Sequence, residues 1–285
     1  MNKIENRNFP HERDLYGLKD TEVINCTFKG IEDGESALKE CDNIALDSCY
    51  MDLRYPLWHD RGLTIRNTQM TPNCRAALWY SSNIAIENSK LHGIKALREC
   101  QNTVISNSDI DSPEFGWKCS DIKINSSSLH SEYLFFESKN IVLDNVKFNG
   151  KYSFQYVNNL VISNSELDTK DAFWHAKDVV VSDSIVKGEY LAWFSENLTF
   201  INCTIIGTQP LCFCKNLKLI NCKMVDTDLC FEYSEVEANI VSSITSVKNP
   251  YKGIIEADSI GEIILTEDSK YPCLAKIIQR NKKSQ

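Results

Sequence analysis

A nine-residue phrase recurs along the chain and restricts it to one kind of architecture. Residues 197–205 read Asn-Leu-Thr-Phe-Ile-Asn-Cys-Thr-Ile. With Asn197 as position zero, apolar residues stand at positions one, three and eight, an Asn at five and a small residue at six. The phrase repeats at Asn159 and Asn216, with looser copies at Asp20, Asn43, Gly62, Asn83, Asn102, Asp121, Asn140 and Asp178. From Asn83 onward every step is 19 residues; the earlier steps are 23, 19 and 21. Self-similarity at about 20 residues is the signature of a solenoid, in which each repeat buries its apolar face only against its neighbours.

Each repeat divides into three short extended segments. Positions one and three alternate with polar residues, the pattern of a half-buried strand. Position five is Asn in most copies, a residue that tolerates unusual backbone angles and whose amide can both donate and accept at a turn. Position eight is apolar again, and position ten is often Gly (Gly34, Gly93, Gly150, Gly188, Gly207), a turn signal. A third segment fills positions twelve to seventeen. Units of about 19 residues with three strands leave no room for a helix, which argues against a leucine-rich repeat. The expectation is an all-β, right-handed parallel β-helix: a single-stranded solenoid of about eleven rungs and three sheets, roughly 50 Å long at the usual strand spacing. One domain spans 1–285, with an N-terminal cap at 1–19, rungs at 20–235 and a C-terminal cap at 236–285; the polar end from Gln279 should fray.

The columns of Asn and of Ile or Leu resemble the pectin-lyase-like superfamily of right-handed β-helices. Glu12-Arg13, Tyr55-Pro56-Leu57-Trp58, Asp171-Ala172-Phe173-Trp174 and Gly188-Glu189-Tyr190-Leu191 resemble, more specifically, a bacterial family of this fold whose function is uncharacterised. The resemblance implies the fold and says little of activity. The aspartate groupings of pectin-degrading hydrolases and the calcium-binding aspartates of pectate lyases are not visible here.

Composition narrows the partners. A net charge of −8 argues against nucleic acid and anionic membranes as partners, and no apolar run reaches the length of a membrane span. The amino-terminal residues lack an apolar signal core, so the expected location is cytoplasmic. The chain has twelve cysteines, most of them recurring at positions six and seventeen. They read as small buried hydrophobes in a reduced protein. Cys212 and Cys214 lie close together, but no second Cys pair or nearby His completes a zinc set, so neither metal nor cofactor is expected.

The third segment carries the candidate site. All five tryptophans stand at position fifteen. Positions twelve and sixteen hold so many ionisable groups that both must face solvent. Strict strand alternation then places thirteen, fifteen and seventeen inside, making the tryptophans a core column rather than a sugar platform. It also requires partners for Lys39 and Arg98: Asp60 is the nearest inward acid for Lys39, whereas Arg98 has no equally obvious one and would reach outward between rungs toward Glu99 or Glu114. The same alternation turns position fourteen outward as an apolar stripe of Leu38, Leu57, Leu78, Leu97, Phe135, Phe154, Phe173 and Leu211, broken at Gly116.

Beside that break, Glu99, Lys118 and Glu137 occupy successive rungs. Their backbones two rungs apart are about 10 Å distant, which flexible side chains can close to the roughly 6.5–9.5 Å of an inverting carboxylate pair. A charge-neutralising Glu–Lys–Glu ladder explains the same residues. His59 and His175 are candidate general bases or members of a contact surface, and Asp171 and Glu189 can join His175 in a polar cluster. The leading expectation is a carbohydrate-recognising protein for a linear oligosaccharide. Tyr133, Phe135, Tyr152, Phe154, Tyr156, Asp171, Phe173, His175 and Tyr190 would line the face, and Glu99, Lys118 and Glu137 would supply glycoside hydrolase or lyase chemistry. The alternative is a non-catalytic scaffold whose stripe forms a homodimer or another protein interface.

Overall fold

The computed structural model describes residues 1–30 and 35–280. Gly34 and the polar end beyond Arg280 therefore lie outside the described residues. Two compact units divide the chain, Met1–Lys147 and Phe148–Gln285. Each is a coil of parallel β-strands, with no helix among the described residues.

In the first unit, strands such as Asp42–Asp47, Arg61–Arg66, Ser82–Glu87 and Gln101–Ser106 stack in register. Position three forms one column, Val23↔Leu46↔Ile65↔Ile86↔Ile105↔Ile124↔Leu143. A second sheet stacks position eight, with Met51↔Met70↔Leu91↔Ile110↔Leu129. These side chains are at most 3% exposed. In the second unit the equivalent column is Ile162↔Val181↔Phe200↔Leu219↔Ala238.

The segments expected as caps also contain strands. Asn2–Glu5 pairs with Thr21–Ile24, and Asn8–Phe9 with Thr27–Phe28. At the other end the rung pattern fades in sequence because its corners straighten. First- and second-sheet strands merge into Lys215–Val225, Glu235–Lys248 and Lys252–Ile264, with register shifts between Leu219 and Cys222 and between Ile240 and Ser243. Among the described residues the turns number about 14, where the repeat predicts eleven.

The corner residues follow from backbone geometry. Position five is left-handed throughout, for example Asn88 (φ 48°) and Asn202 (φ 53°), and position zero likewise, as at Asn102 (φ 52°) and Asn197 (φ 59°). Asn and Asp are the side chains most at ease there. Their amides also link rungs, each donating to the rung before it: Asn102 to Asn83 (2.7 Å), Asn202 to Asp183 (3.0 Å) and Asn221 to Asn202 (2.9 Å). An Asp can begin such a run because it only has to accept.

Positions six and seventeen are more than small. Their backbone N–H groups point inward, and a hydroxyl or thiol on the next rung accepts them: Ser165 N–H to Ser184 Oγ (3.0 Å), Cys119 N–H to Ser138 Oγ (3.0 Å), Cys100 N–H to Cys119 Sγ (3.4 Å). The same side chains donate to carbonyls, as Cys203 does to Val181 (3.3 Å). Ser, Thr and Cys share these columns because each can accept and donate. All twelve thiols are free and all but Cys273 are buried; burial pushes Cys100 and Cys214 up to about 12.

Candidate ligand-binding face

The third side does not follow strand alternation. In residues 190–195 of the second unit, Tyr190, Ala192 and Phe194 all have φ between 55° and 62°. Regularly interposed left-handed residues turn the backbone so that successive side chains no longer point to opposite faces. Positions thirteen, fourteen and seventeen are buried, fifteen is half-buried and sixteen lies at the surface. The expected outward stripe is therefore core: Leu38, Leu57, Leu78, Leu97, Phe135, Phe154, Phe173 and Leu211 are all 0% exposed. Phe135, Phe154 and Phe173 leave the ligand-binding set. Gly116 is no surface break, since a Cβ there would collide with the Phe135 ring packed against it.

The tryptophans form the inner wall of this side rather than its core. Trp174 donates its indole N–H to the Tyr190 carbonyl (2.7 Å) and Trp193 to that of Gln209 (2.8 Å), in each case 16 residues ahead. Gln155 makes the same bond to Asp171 through its amide (3.1 Å). In the first unit Trp58 and Trp117 donate to the Ala76 and Tyr133 carbonyls. Cations enter this column as flat or compact partners of rings. Arg98 lies between Trp79 (5.0 Å) and Trp117 (5.4 Å), and Lys39 over Trp58 (5.6 Å). Lys39 thus finds a ring rather than Asp60, whose Oδ1 accepts the Cys41 N–H (2.7 Å).

Outside that wall, position sixteen of the second unit forms a strip of rings. Tyr156 stacks on His175 (4.9 Å between centroids, 10° between planes), His175 on Phe194 (5.3 Å, 13°) and Phe194 on Phe213 (4.7 Å, 13°). Tyr233 continues it at 5.8 Å. Tyr156 is 50% and Phe194 47% exposed. Trp174 and Trp193 lie parallel beneath, 5.4 Å apart and 3° from coplanar. Phe194, Phe213 and Tyr233 were not among the sequence candidates. Phe194 and Phe213 share the His175 column and were legible there; Tyr233 falls one place late because its rung is one residue longer.

Tyr152, Asp171 and Tyr190 flank the strip, half-buried on successive rungs. Burial raises the Asp171 pKa, with Lys170 opposing and Glu189 adding to the rise. Lys170 itself bridges to Glu189 at 2.9 Å and sits over the Tyr190 ring at 5.6 Å.

The proposed catalytic trio is divided by its ion pairs. In the first unit Lys118 reaches Glu137 (3.7 Å), whereas Glu99 lies beside Arg98 (3.5 Å) and Glu114 beside Lys95 (3.3 Å). Tyr133, also in that unit, packs edge-on against Trp117, and His59 stacks on Tyr80 (5.1 Å). Among the described residues no group of three or more His, Cys, Asp or Glu is placed to hold a metal ion, and no helix is long and apolar enough to cross a membrane.

Solved structures with similar chain traces are distant. PfbA, a surface adhesin of Streptococcus pneumoniae, is 12% identical with a TM-score of 0.42, over 86% of this chain and 81% of its own. The A-module of the Azotobacter vinelandii mannuronan C-5 epimerase AlgE4 is 8% identical with a TM-score of 0.34, over 95% and 88%. The tailspike protein of E. coli bacteriophage HK620, solved with a pentasaccharide, is 8% identical with a TM-score of 0.44; the match covers 93% of this chain and 60% of the tailspike chain. No curated protein matches. The profile of a family described as a protein of unknown function (DUF3737) matches residues 2–278, and the chain belongs to that family.

Proposed function

We propose that the second unit recognises a linear oligosaccharide along the strip from Tyr156 to Tyr233, without cleaving it. The observation that carries this reading is the strip itself: five rings stacked on consecutive rungs, with Tyr156, His175 and Phe194 exposed and Phe213 and Tyr233 half-buried. Rungs spaced about 4.8 Å apart advance by nearly one sugar ring of an extended chain, so a polymer can meet the same chemistry at each step. Because the rings stack on each other, they offer edges and polar tips rather than open faces. Hydroxyls of Tyr156 and Tyr233, the imidazole of His175 and the Asp171 carboxyl are the groups suited to sugar hydroxyls. Recognition without cleavage is favoured because Glu99 pairs with Arg98 and Glu137 with Lys118, so the two carboxyls form no common site, and neither belongs to the strip.

A second reading rests on the same edges. Ring edges pack well against the faces of partner aromatics, which would suit a second copy or another protein. Titration of a glycan-array hit decides between them. Affinity should rise with chain length, level off near five sugars, and fall about tenfold or more in Phe194→Ala, the loss of a ring contact worth roughly 1.4 kcal/mol. If no glycan binds and wild type is a dimer that Phe194→Ala dissociates, the strip is a protein interface.

A further inference from the structure

Asp60 departs from its column in a way the binding face does not explain. Position seventeen holds groups that accept an N–H from the preceding rung and also donate to a carbonyl at position fourteen of that rung. Ser138 does both, accepting from Cys119 (3.0 Å) and donating to Gly116 (2.6 Å), and Ser234 accepts from Cys214 (2.9 Å) and donates to Leu211 (2.7 Å). Asp60 is 0% exposed. Its Oδ1 accepts the Cys41 N–H at 2.7 Å, but its buried Oδ2 has no hydrogen-bond partner. A carboxylate cannot donate; a carboxylic acid can. By register the carbonyl in the donor's path is that of Leu38.

Among the described residues, no cation offsets a charge at this place. On the rung before, Lys39 lies over Trp58, while Glu40 and Asp42 are both acidic. On its own rung, Arg61 is held by Asp42 (2.8 Å) and His59 is stacked on Tyr80. On the rungs after, Ser81 Oγ accepts the Asp60 N–H (3.1 Å) and Cys100 is a buried thiol.

We propose that Asp60 is a buried carboxylic acid whose proton completes the hydrogen-bonded column of the first unit, so that losing this proton loosens the wall around Trp58 as pH rises. Burial pushes its pKa up to about 8, against the Cys41 hydrogen bond and helped by Glu40 and Asp42. The folded chain therefore keeps the proton to higher pH than the unfolded chain. The resulting stability is complete below the ordinary aspartate range, declines as pH rises toward about 8, and stays lost above it.

The test is urea unfolding from pH 4 to 10 of wild type, Asp60→Ser and Asp60→Asn, with the Asp60 carboxyl carbon followed by NMR in the folded wild type. Ser restores the hydroxyl of the column, and Asn keeps a donor and an acceptor without a titrating proton. The wild-type midpoint should fall through this window, and either variant that folds should lose that part of the slope. The carboxyl carbon should titrate well above the usual aspartate range. A slope unchanged in the variants, or titration near the model-peptide value, overturns the proposal.

Discussion

Two stretches of the third side solve the same packing problem with opposite backbone bonding. In the first unit, Leu38, Leu57 and Leu78 at position fourteen donate their N–H to the following rung, at Pro56, Ala77 and Ala96. Leu57–Trp58, Leu78–Trp79 and Leu97–Arg98 accordingly pair as short parallel strands. In the second unit, Phe173, Ala192 and Leu211 donate to the preceding rung, at Ser153, Ala172 and Leu191, and all three are left-handed. Positions twelve and sixteen still donate forward there, as Asp171 does to Glu189 and His175 to Trp193. Backbone groups thus find partners in both arrangements, one extended and one alternating in hand.

The change begins within the first unit at Gly116 (φ 76°), which donates back to Leu97. Phe135 follows it, left-handed and bonded back to Phe115. A glycine at the first reversed rung meets two demands at once: it adopts the left-handed conformation at little cost and leaves room for the Phe135 ring. The lesson is that side-chain direction on this side depends on backbone hand, so equal spacing in sequence does not mean equal orientation.

Substitutions can break this comparison, beginning with the tightest backbone approach. At Gly207 (φ 125°) a Cβ would collide with the Gly188 carbonyl. Gly207→Ala should therefore lower stability by about 3 kcal/mol, combining backbone strain with overpacking. A thermal-melt loss no larger than that of an exposed Ala substitution would mean that the rungs at this corner are further apart than described.

The small-residue columns come next. Ser184→Ala leaves the buried Ser165 N–H without its acceptor and should cost about 1–3 kcal/mol. Cys203→Ser should be milder than Cys203→Ala, because a hydroxyl can replace the thiol as donor to Val181. Chemical denaturation that ranks the two Cys variants the other way would restore the reading of these positions as merely small and apolar.

A smaller effect is expected at the ring wall. Trp174→Phe keeps an aromatic ring beside Trp193 but removes the bond to the Tyr190 carbonyl, for about 1 kcal/mol. Urea midpoints should place it between wild type and Trp174→Ala; a midpoint equal to that of Trp174→Ala would show that packing rather than the bond matters.

The sequence made the first two sides legible because an extended strand converts spacing directly into direction. Ile86 and Leu91 are core for the reason their spacing suggests. It also marked the corners, since Asn at positions zero and five reports the left-handed backbone. The third side misled because Phe and Leu gave no sign of that conformation: a bulky residue at φ near 60° is an outlier by local preference and is held here by bonds to the preceding rung and by burial. Alternation therefore placed Phe173 on the surface beside Phe194, where only Phe194 belongs. Asp60 was recognised as an inward acid, but its partner could not be read, because Lys39 had a neighbouring ring to pack on.

The most direct measurement compares Phe173→Ala with Phe194→Ala in urea unfolding. Phe173 is fully buried, stacked on Phe154 (5.0 Å) and edge-on to Phe200; Phe194 is half exposed between His175 and Phe213. This layout predicts a loss of about 3–5 kcal/mol at Phe173 and no more than about 1 kcal/mol at Phe194. Equal losses, or a larger one at Phe194, would contradict it and return position fourteen to the surface.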